Sequence, residues 1–153
     1  LAVGLECDFI VLDHVSMVVS GLEGDERKTL DILMTKLRQL VENTGVGIIA
    51  ISHIRRGNKQ KSFNEGEMIS LTDLRGSASI EQLSDIVIAS ERNQQAEDEE
   101  SDIAQLRLLK NRPFGEVGPA GHVKYNVETG RLLPHDFEPT NTDSETPFDT
   151  SDI

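Results

Sequence analysis

The chain has 153 residues, the size of one ordinary domain, and its 37% hydrophobic content is enough to build a core. No apolar run approaches the roughly 20 residues of a membrane-spanning helix. A single cysteine, Cys7, excludes a disulfide framework or a cysteine-based zinc cluster and suits a reducing compartment. The net charge of −12, from 15 basic and 27 acidic residues, argues against a general polyanion binder.

The first residue is Leu1, and no charged-then-apolar leader follows it, so the sequence reads as part of a longer open reading frame. Charge is uneven along it. Residues 134–153 hold six acids and no Lys or Arg, whereas Arg55, Arg56, Lys59 and Lys61 fall within seven residues that contain no acid. A local cationic stretch on an acidic body is more selective than global positivity.

In chain order, Phe9-Ile10-Val11-Leu12 is too short for a helix and too uniformly apolar for a half-exposed strand. It predicts a central strand buried on both faces and ending in Asp13. A polar, glycine-containing connection is expected from there through Gly24. Leu30, Leu33, Met34, Leu37, Leu40 and Val41 then recur at helical spacing, with acids at the start and Gly45 placed as a C-terminal cap. Val46–Ser52 is a second buried strand. Strand, helix and strand with short joints form a βαβ unit, hence an α/β fold with mainly parallel strands.

Residues 53–70 predict a polar loop, Ser77–Leu83 a short helix and Asp85–Ser90 a strand. An acidic spacer follows, then a strand over Ile103–Lys110 and a turn made by Gly115, Gly118, Pro119 and Gly121. His122–Val127 and Arg131–Leu133 flank Glu128-Thr129-Gly130 as a hairpin. Pro, Thr, Asp, Ser and Glu dominate from Pro134 onward, which predicts a disordered tail over 134–153 behind a folded portion over 1–133.

Taken singly, the polar signals are ambiguous. Asp13 sits where parallel sheets bind ligands and fits a Walker B carboxylate holding Mg²⁺, or else it merely caps a turn. Ser52 and His53 end the second strand at the same edge, either as a γ-phosphate sensor or as solvent-facing residues. The Arg55–Lys61 stretch can track a phosphodiester backbone or be a solvated loop. In Thr72–Ser77, the Gly76-Ser77 step can present N–H groups to an anion or cap a helix. Lys110 and Arg112 end a strand as a transition-state cation requires, and as ordinary surface residues also do. No Gly-x-x-x-x-Gly-Lys-Ser/Thr loop occurs, so the main cradle for nucleotide phosphates is absent from these residues.

The order of the motifs is more specific than any one of them. Phe9–His14, Leu33-Met34-Thr35-Lys36-Leu37 and Ser52-His53 come first. Leu71–Ser77, Gln82-Leu83-Ser84-Asp85, Glu91-Arg92-Asn93-Gln94-Gln95, Tyr125-Asn126 and Glu128-Thr129-Gly130 follow. Over residues 1–133 this series resembles the C-terminal half of the RecA-like motor of DnaB-type ring helicases. The likeness is strongest to the bifunctional helicase–primases of short-tailed phages.

The resemblance implies a partial RecA-like, P-loop NTPase core whose phosphate loop and catalytic glutamate lie upstream of Leu1. It implies that Asp13 positions Mg²⁺, that His53 senses the γ-phosphate, and that Gln82 links DNA to nucleotide. Arg112 becomes the arginine finger for a neighbouring subunit, with Lys110 beside it, and Arg92 and Tyr125 pack on either face of the base. Arg55, Arg56, Lys59, Lys61, Arg75 and Gly76 become DNA contacts. The sequence departs from the family at Glu81, where a basic residue is usual.

The implied activity is hydrolysis of ATP or dTTP coupled to 5′→3′ movement on single-stranded DNA during phage replication in the host cytoplasm, by identical subunits in a hexameric ring. The acidic tail resembles the segment that docks on the replicative DNA polymerase, although Phe148 lies short of the terminus where family tails end in an aromatic residue. The fragment is expected to be inactive alone. A RecA-like recombinase core and a non-catalytic module binding helicase subunits or polymerase are the other readings.

Overall fold

The structure, a computed structural model, describes residues 6–20, 25–54, 63, 65–74, 78–96 and 98–136. Strand β1 (Phe9–Leu12) is followed by helices α1 (Val15–Val19) and α2 (Glu26–Thr44) and by strand β2 (Gly47–Ala50). A 3₁₀ turn at Leu71–Asp73 leads to helix α3 (Ala78–Leu83) and strand β3 (Ile86–Arg92). After a 3₁₀ segment at Asp98–Asp102 come β4 (Ile103–Asn111), β5 (Gly118–Asn126) and β6 (Arg131–His135).

The βαβ unit forms as its sequence dictates. The Asp25 side chain accepts a hydrogen bond from the Arg27 N–H at 3.0 Å, satisfying one of the free donors at the start of α2. Gly45 ends the helix with φ at +72°, a left-handed turn that glycine adopts without strain. The chain then returns so that β1 and β2 pair in parallel, Phe9 against Gly47 through Leu12 against Ala50. The buried core lies beneath this pair: Val15 and Val19 of α1, Leu30 and Met34 of α2 and Ile80 of α3, with Leu12, Leu33, Leu37, Leu74 and Leu83 packed around them.

Several expectations need correction. The sheet is not mainly parallel among the described residues. β1 and β2 form a parallel pair, but β3, β4, β5 and β6 form an antiparallel sheet in chain order. The reason is connection length: a parallel return needs a crossover of about a dozen residues or more, usually a helix. Among the described residues, the links after β3, β4 and β5 carry no such helix.

Nor is β1 buried on both faces. Ile10 and Leu12 turn toward the helices, while Phe9 and Val11 remain 67% and 65% exposed. The segment after Asp13 is not simply a connection, because Val15 and Val19 anchor the short helix α1 in the core. Gly118, Pro119 and Gly121 lie within β5 rather than in the turn before it, opposite β4 across a register shift at Leu106/Arg107. β6 runs on through Pro134 and His135, so folded structure extends past the expected boundary. The expected tail from 137 onward lies outside the described residues.

The hairpin after β5 is as expected. Asn126 pairs with Arg131, and the Asn126 carbonyl accepts from the Gly130 N–H at 2.8 Å. Between the two sheets, the edges of β2 and β3 that pair with no strand among the described residues line a cleft of about 1280 Å³ that includes Ile49, Ile51, His53, Ile86 and Ile88.

Candidate functional site

Parallel strands finish on one side of their sheet, so the residues after them converge. The Ile51 N–H donates to the Leu12 carbonyl and the Val15 N–H to the Ile51 carbonyl, each at 2.9 Å. These bonds continue the pairing past the last strand residues. Asp13-His14 and Ser52-His53 therefore leave the sheet side by side. The imidazoles of His14 and His53 lie with centroids 4.1 Å apart and planes tilted by 41°. Asp13 and His53 are exposed and His14 is half-buried. Nδ1 of His14 is buried and has no hydrogen-bond partner among the described residues. Such a group is normally completed by an ordered water or a bound ligand.

A second cluster forms where β4 ends and β3 begins. The last turn of a helix leaves carbonyls without partners, and α3 has no basic residue of its own there. Lys110 supplies one, donating from Nζ to the carbonyls of Glu81 and Gln82. Arg112 supplies another, donating to the Gln82 carbonyl at 2.7 Å and to the Asp85 carboxylate at 3.3 Å, while its N–H bonds the Asp85 carbonyl at 2.9 Å. Cations at this end of a helix also complement its dipole. The other oxygen of Asp85 accepts from Arg38 of α2 at 2.6 Å. Hydrogen bonds to Glu42 first and to Asp85 next push the Arg38 guanidinium above its ordinary pKa. Asp85 thus ties α2 to Arg112.

Arg92 and Tyr125 occupy one face of the antiparallel sheet. Arg92 pairs with Ala104 and Ala104 with Val123, and Tyr125 is two residues beyond Val123. Residues directly opposite, and residues two apart, share a face. The two candidate base-stacking side chains therefore stand at the same end and on the same side of the sheet, with β4 between them. Arg92 is steadied by the Ser101 carbonyl and by Asp102 at 3.2 Å. The Tyr125 side chain is partly exposed.

Among the described residues, no hydrogen bond or ion pair joins Asp13 or His53 to Lys110, Arg112, Arg92 or Tyr125. The structure brings the predicted residues together as three groups rather than one. Gln82 contributes its backbone carbonyl to the second of them. Arg55, Arg56, Lys59, Lys61, Arg75 and Gly76 lie outside the described residues.

Sequence reasoning assigned no role to His14, Arg38, Asp85, Glu91 or Arg107. A signal existed for Arg107, a charged residue between Leu106 and Leu108 in an apolar strand, which demands a buried partner. It existed less clearly for Asp85, which only tertiary packing sets between two arginines.

As to fit with a metal-bound nucleotide, no cluster of three or more metal-binding side chains occurs among the described residues. Mg²⁺ commonly uses one or two carboxylates and completes its shell with water and substrate phosphates. An exposed Asp13 at the end of β1, beside the unpartnered His14 nitrogen, suits that arrangement. No helix of the described residues is long and apolar enough to cross a membrane.

Comparison with known proteins gives a consistent result. Residues 3–131 match the protein family described as DnaB-like helicase C terminal domain. Over 135 residues the chain is 50% identical to the DNA helicase/primase of Enterobacteria phage T3, covering 88% of this chain and 24% of that protein. Among solved structures, an ATPase domain matches with a TM-score of 0.69 at 21% identity, over 84% of this chain and 44% of the other. A DnaB-like replicative helicase, in a structure that addresses its interactions with primase, also gives 0.69, at 20% identity over 84% and 30%. At these identities the structural likeness shows the fold. The chain spans about a quarter of the length of the phage relative.

Proposed function

Because the chain belongs to the family of DnaB-like helicase C-terminal domains, we propose that it is the C-terminal segment of a phage replicative helicase, and that the intact protein couples hydrolysis of ATP or dTTP to 5′→3′ movement along single-stranded DNA. The observation that carries this reading is the shared rim. Asp13 and His53 follow adjacent parallel strands, with the His14 and His53 rings 4.1 Å apart.

A Mg²⁺-bound nucleoside triphosphate supplies the scissile phosphoryl group when present. On this chain, Asp13 contributes an anionic ligand to that complex. His53 offers a hydrogen bond that distinguishes a γ-phosphate from its absence. It also begins the segment leading to Arg55, Arg56, Lys59 and Lys61, which contact the DNA backbone together with Arg75 and Gly76. Gln82 couples the DNA-contacting element to the nucleotide. Arg92 and Tyr125 hold the base from two sides, since guanidinium and aromatic planes both stack on a nucleobase.

Arg112, with Lys110 beside it, acts on the nucleotide of a neighbouring subunit in a hexameric ring, where a planar guanidinium offsets charge that develops on the transferred group. Among the described residues no hydrogen bond or ion pair links the Arg112 cluster to Asp13, which is consistent with that division between subunits. The open edges of β2 and β3 fit a sheet completed by the rest of a longer protein, which also supplies the phosphate loop. The isolated 153 residues are then inactive. The acidic tail docks on the replicative polymerase, and the protein acts in the host cytoplasm.

The test is unwinding by the intact protein of forked duplexes carrying only a 5′ or only a 3′ tail. Helicase activity restricted to the 5′-tailed substrate, and lost in Asp13→Asn, is expected. Filament formation without unwinding would favour a recombinase, and NTP hydrolysis by the isolated 153 residues would remove the claim that they are inactive.

A further inference from the structure

A guanidinium in the middle of an apolar strand is tolerated only if its charge and hydrogen-bonding groups are met. The side chains of Arg107 and Glu91 are 16% and 9% exposed. Their pairing is two-pronged: Nε of Arg107 donates to one Glu91 oxygen at 2.9 Å and a terminal nitrogen to the other at 2.8 Å. Strand register explains how they meet. Glu91 pairs with Gln105 and Ala89 with Arg107, so the two charged residues are diagonal neighbours on one face of β3 and β4. Hydrogen bonding to Glu91 raises the Arg107 pKa in spite of burial, so the guanidinium stays charged at any ordinary pH.

Both partners also bond to the same third residue. The Ile69 N–H donates to Glu91 at 2.6 Å, and Arg107 donates to the Ile69 carbonyl. Ile69 is buried and belongs to no strand, so the ion pair satisfies its peptide groups as a neighbouring strand would. Nearby, Glu65 bridges Asn93 and Leu74 bridges Ile54. Buried ion pairs contribute little net stability compared with apolar residues of the same volume. This one contributes direction: an acceptor for one peptide N–H and a donor for one carbonyl, which fix where the segment sits on the sheet.

Two features flank the clamp. Ile69 lies on the return of the chain from the cationic Arg55–Lys61 stretch, and Glu91 is followed at once by Arg92. We propose that Glu91 and Arg107 are positioning residues that lock the chain returning from the cationic stretch onto the strand carrying Arg92, so that occupancy of DNA and of nucleotide are felt by one rigid unit. The inference rests on the helicase reading above.

Intact protein carrying Arg107→Lys, which keeps the cation but loses the fork, or Glu91→Gln, which keeps an acceptor but loses the charge, tests it. Three quantities are read: hydrolysis without DNA, hydrolysis with single-stranded oligo(dT), and hydrogen exchange at the Ile69 amide. Stimulation by oligo(dT) falls about tenfold, within the range that coupling substitutions produce. Hydrolysis without DNA stays at its original rate, and the Ile69 amide exchanges faster. Faster exchange with stimulation intact overturns the proposal, as does a parallel fall of both rates with melting temperature, which marks a purely structural pair. If Glu91→Gln does not fold, Arg107→Lys decides alone. Absence of DNA stimulation in the unsubstituted protein overturns the helicase reading itself, and this inference with it.

Discussion

In the parallel pair β1–β2, the chemically interesting groups stand at strand ends with no ion pair among the described residues. Asp13 and His53 are exposed, and backbone bonds from Ile51 and Val15 place them. In the antiparallel sheet β3–β6, four cations are already engaged. Arg112 and Lys110 rest on α3 carbonyls, Arg92 on Ser101 and Asp102, and Arg107 on Glu91 and Ile69. The difference follows from strand direction. Parallel strands gather their ends on one rim and need only the backbone to bring residues together. Antiparallel strands send alternate ends to opposite rims, so long flexible side chains must be aimed by partners. One region positions by backbone, the other by ion pairs and caps.

The comparison breaks first at Arg112. Arg112→Ala in the intact protein should lower NTP hydrolysis by about a thousandfold or more while nucleotide still binds, as expected for a transition-state arginine. Steady-state turnover beside equilibrium nucleotide binding measures it, and normal turnover would remove the assignment. Leu30→Ala attacks the other region, leaving a cavity beneath β1 and β2 in the cluster around Val15 and Met34. It should cost about 3 kcal/mol by urea unfolding. Amide protection in β4 and β5 should outlast that in α2; simultaneous loss would mean that the two regions fold as one unit.

A smaller effect sharpens the idea that pairing aims the cations. Asp85→Asn weakens the contacts to both Arg38 and Arg112, and hydrolysis should fall about tenfold, less than when the guanidinium itself is lost. Nucleotide affinity should hold, and a turnover equal to wild type would show that the α3 carbonyl suffices. The smallest change is Gly45→Ala. Nothing lies within 4 Å of the added methyl, so only the left-handed φ of +72° is strained. Thermal melts should report about 1 kcal/mol of destabilisation.

Legibility divides along the same line. Helix α2, its acidic start, its Gly45 stop and the parallel return are readable because each depends on neighbours in sequence and on a period of apolar residues. The hairpin after β5 is readable for the same reason. Helix α1 escapes because five residues give too little period, and its two valines matter only once α2 and α3 cover them. The antiparallel order escapes because apolar runs declare strands without declaring which way each runs.

Local pattern alone therefore determined the βαβ unit, the placement of Asp13 and His53 at strand ends and the kinship of the motif series. Tertiary structure alone decided that Asp85 stands between Arg38 and Arg112, that His14 meets His53, and that Glu91 and Arg107 share Ile69. Those contacts join residues up to 47 positions apart. Side-chain partners at that range are chosen by strand register and helix packing, and neither is written in any short stretch of the chain.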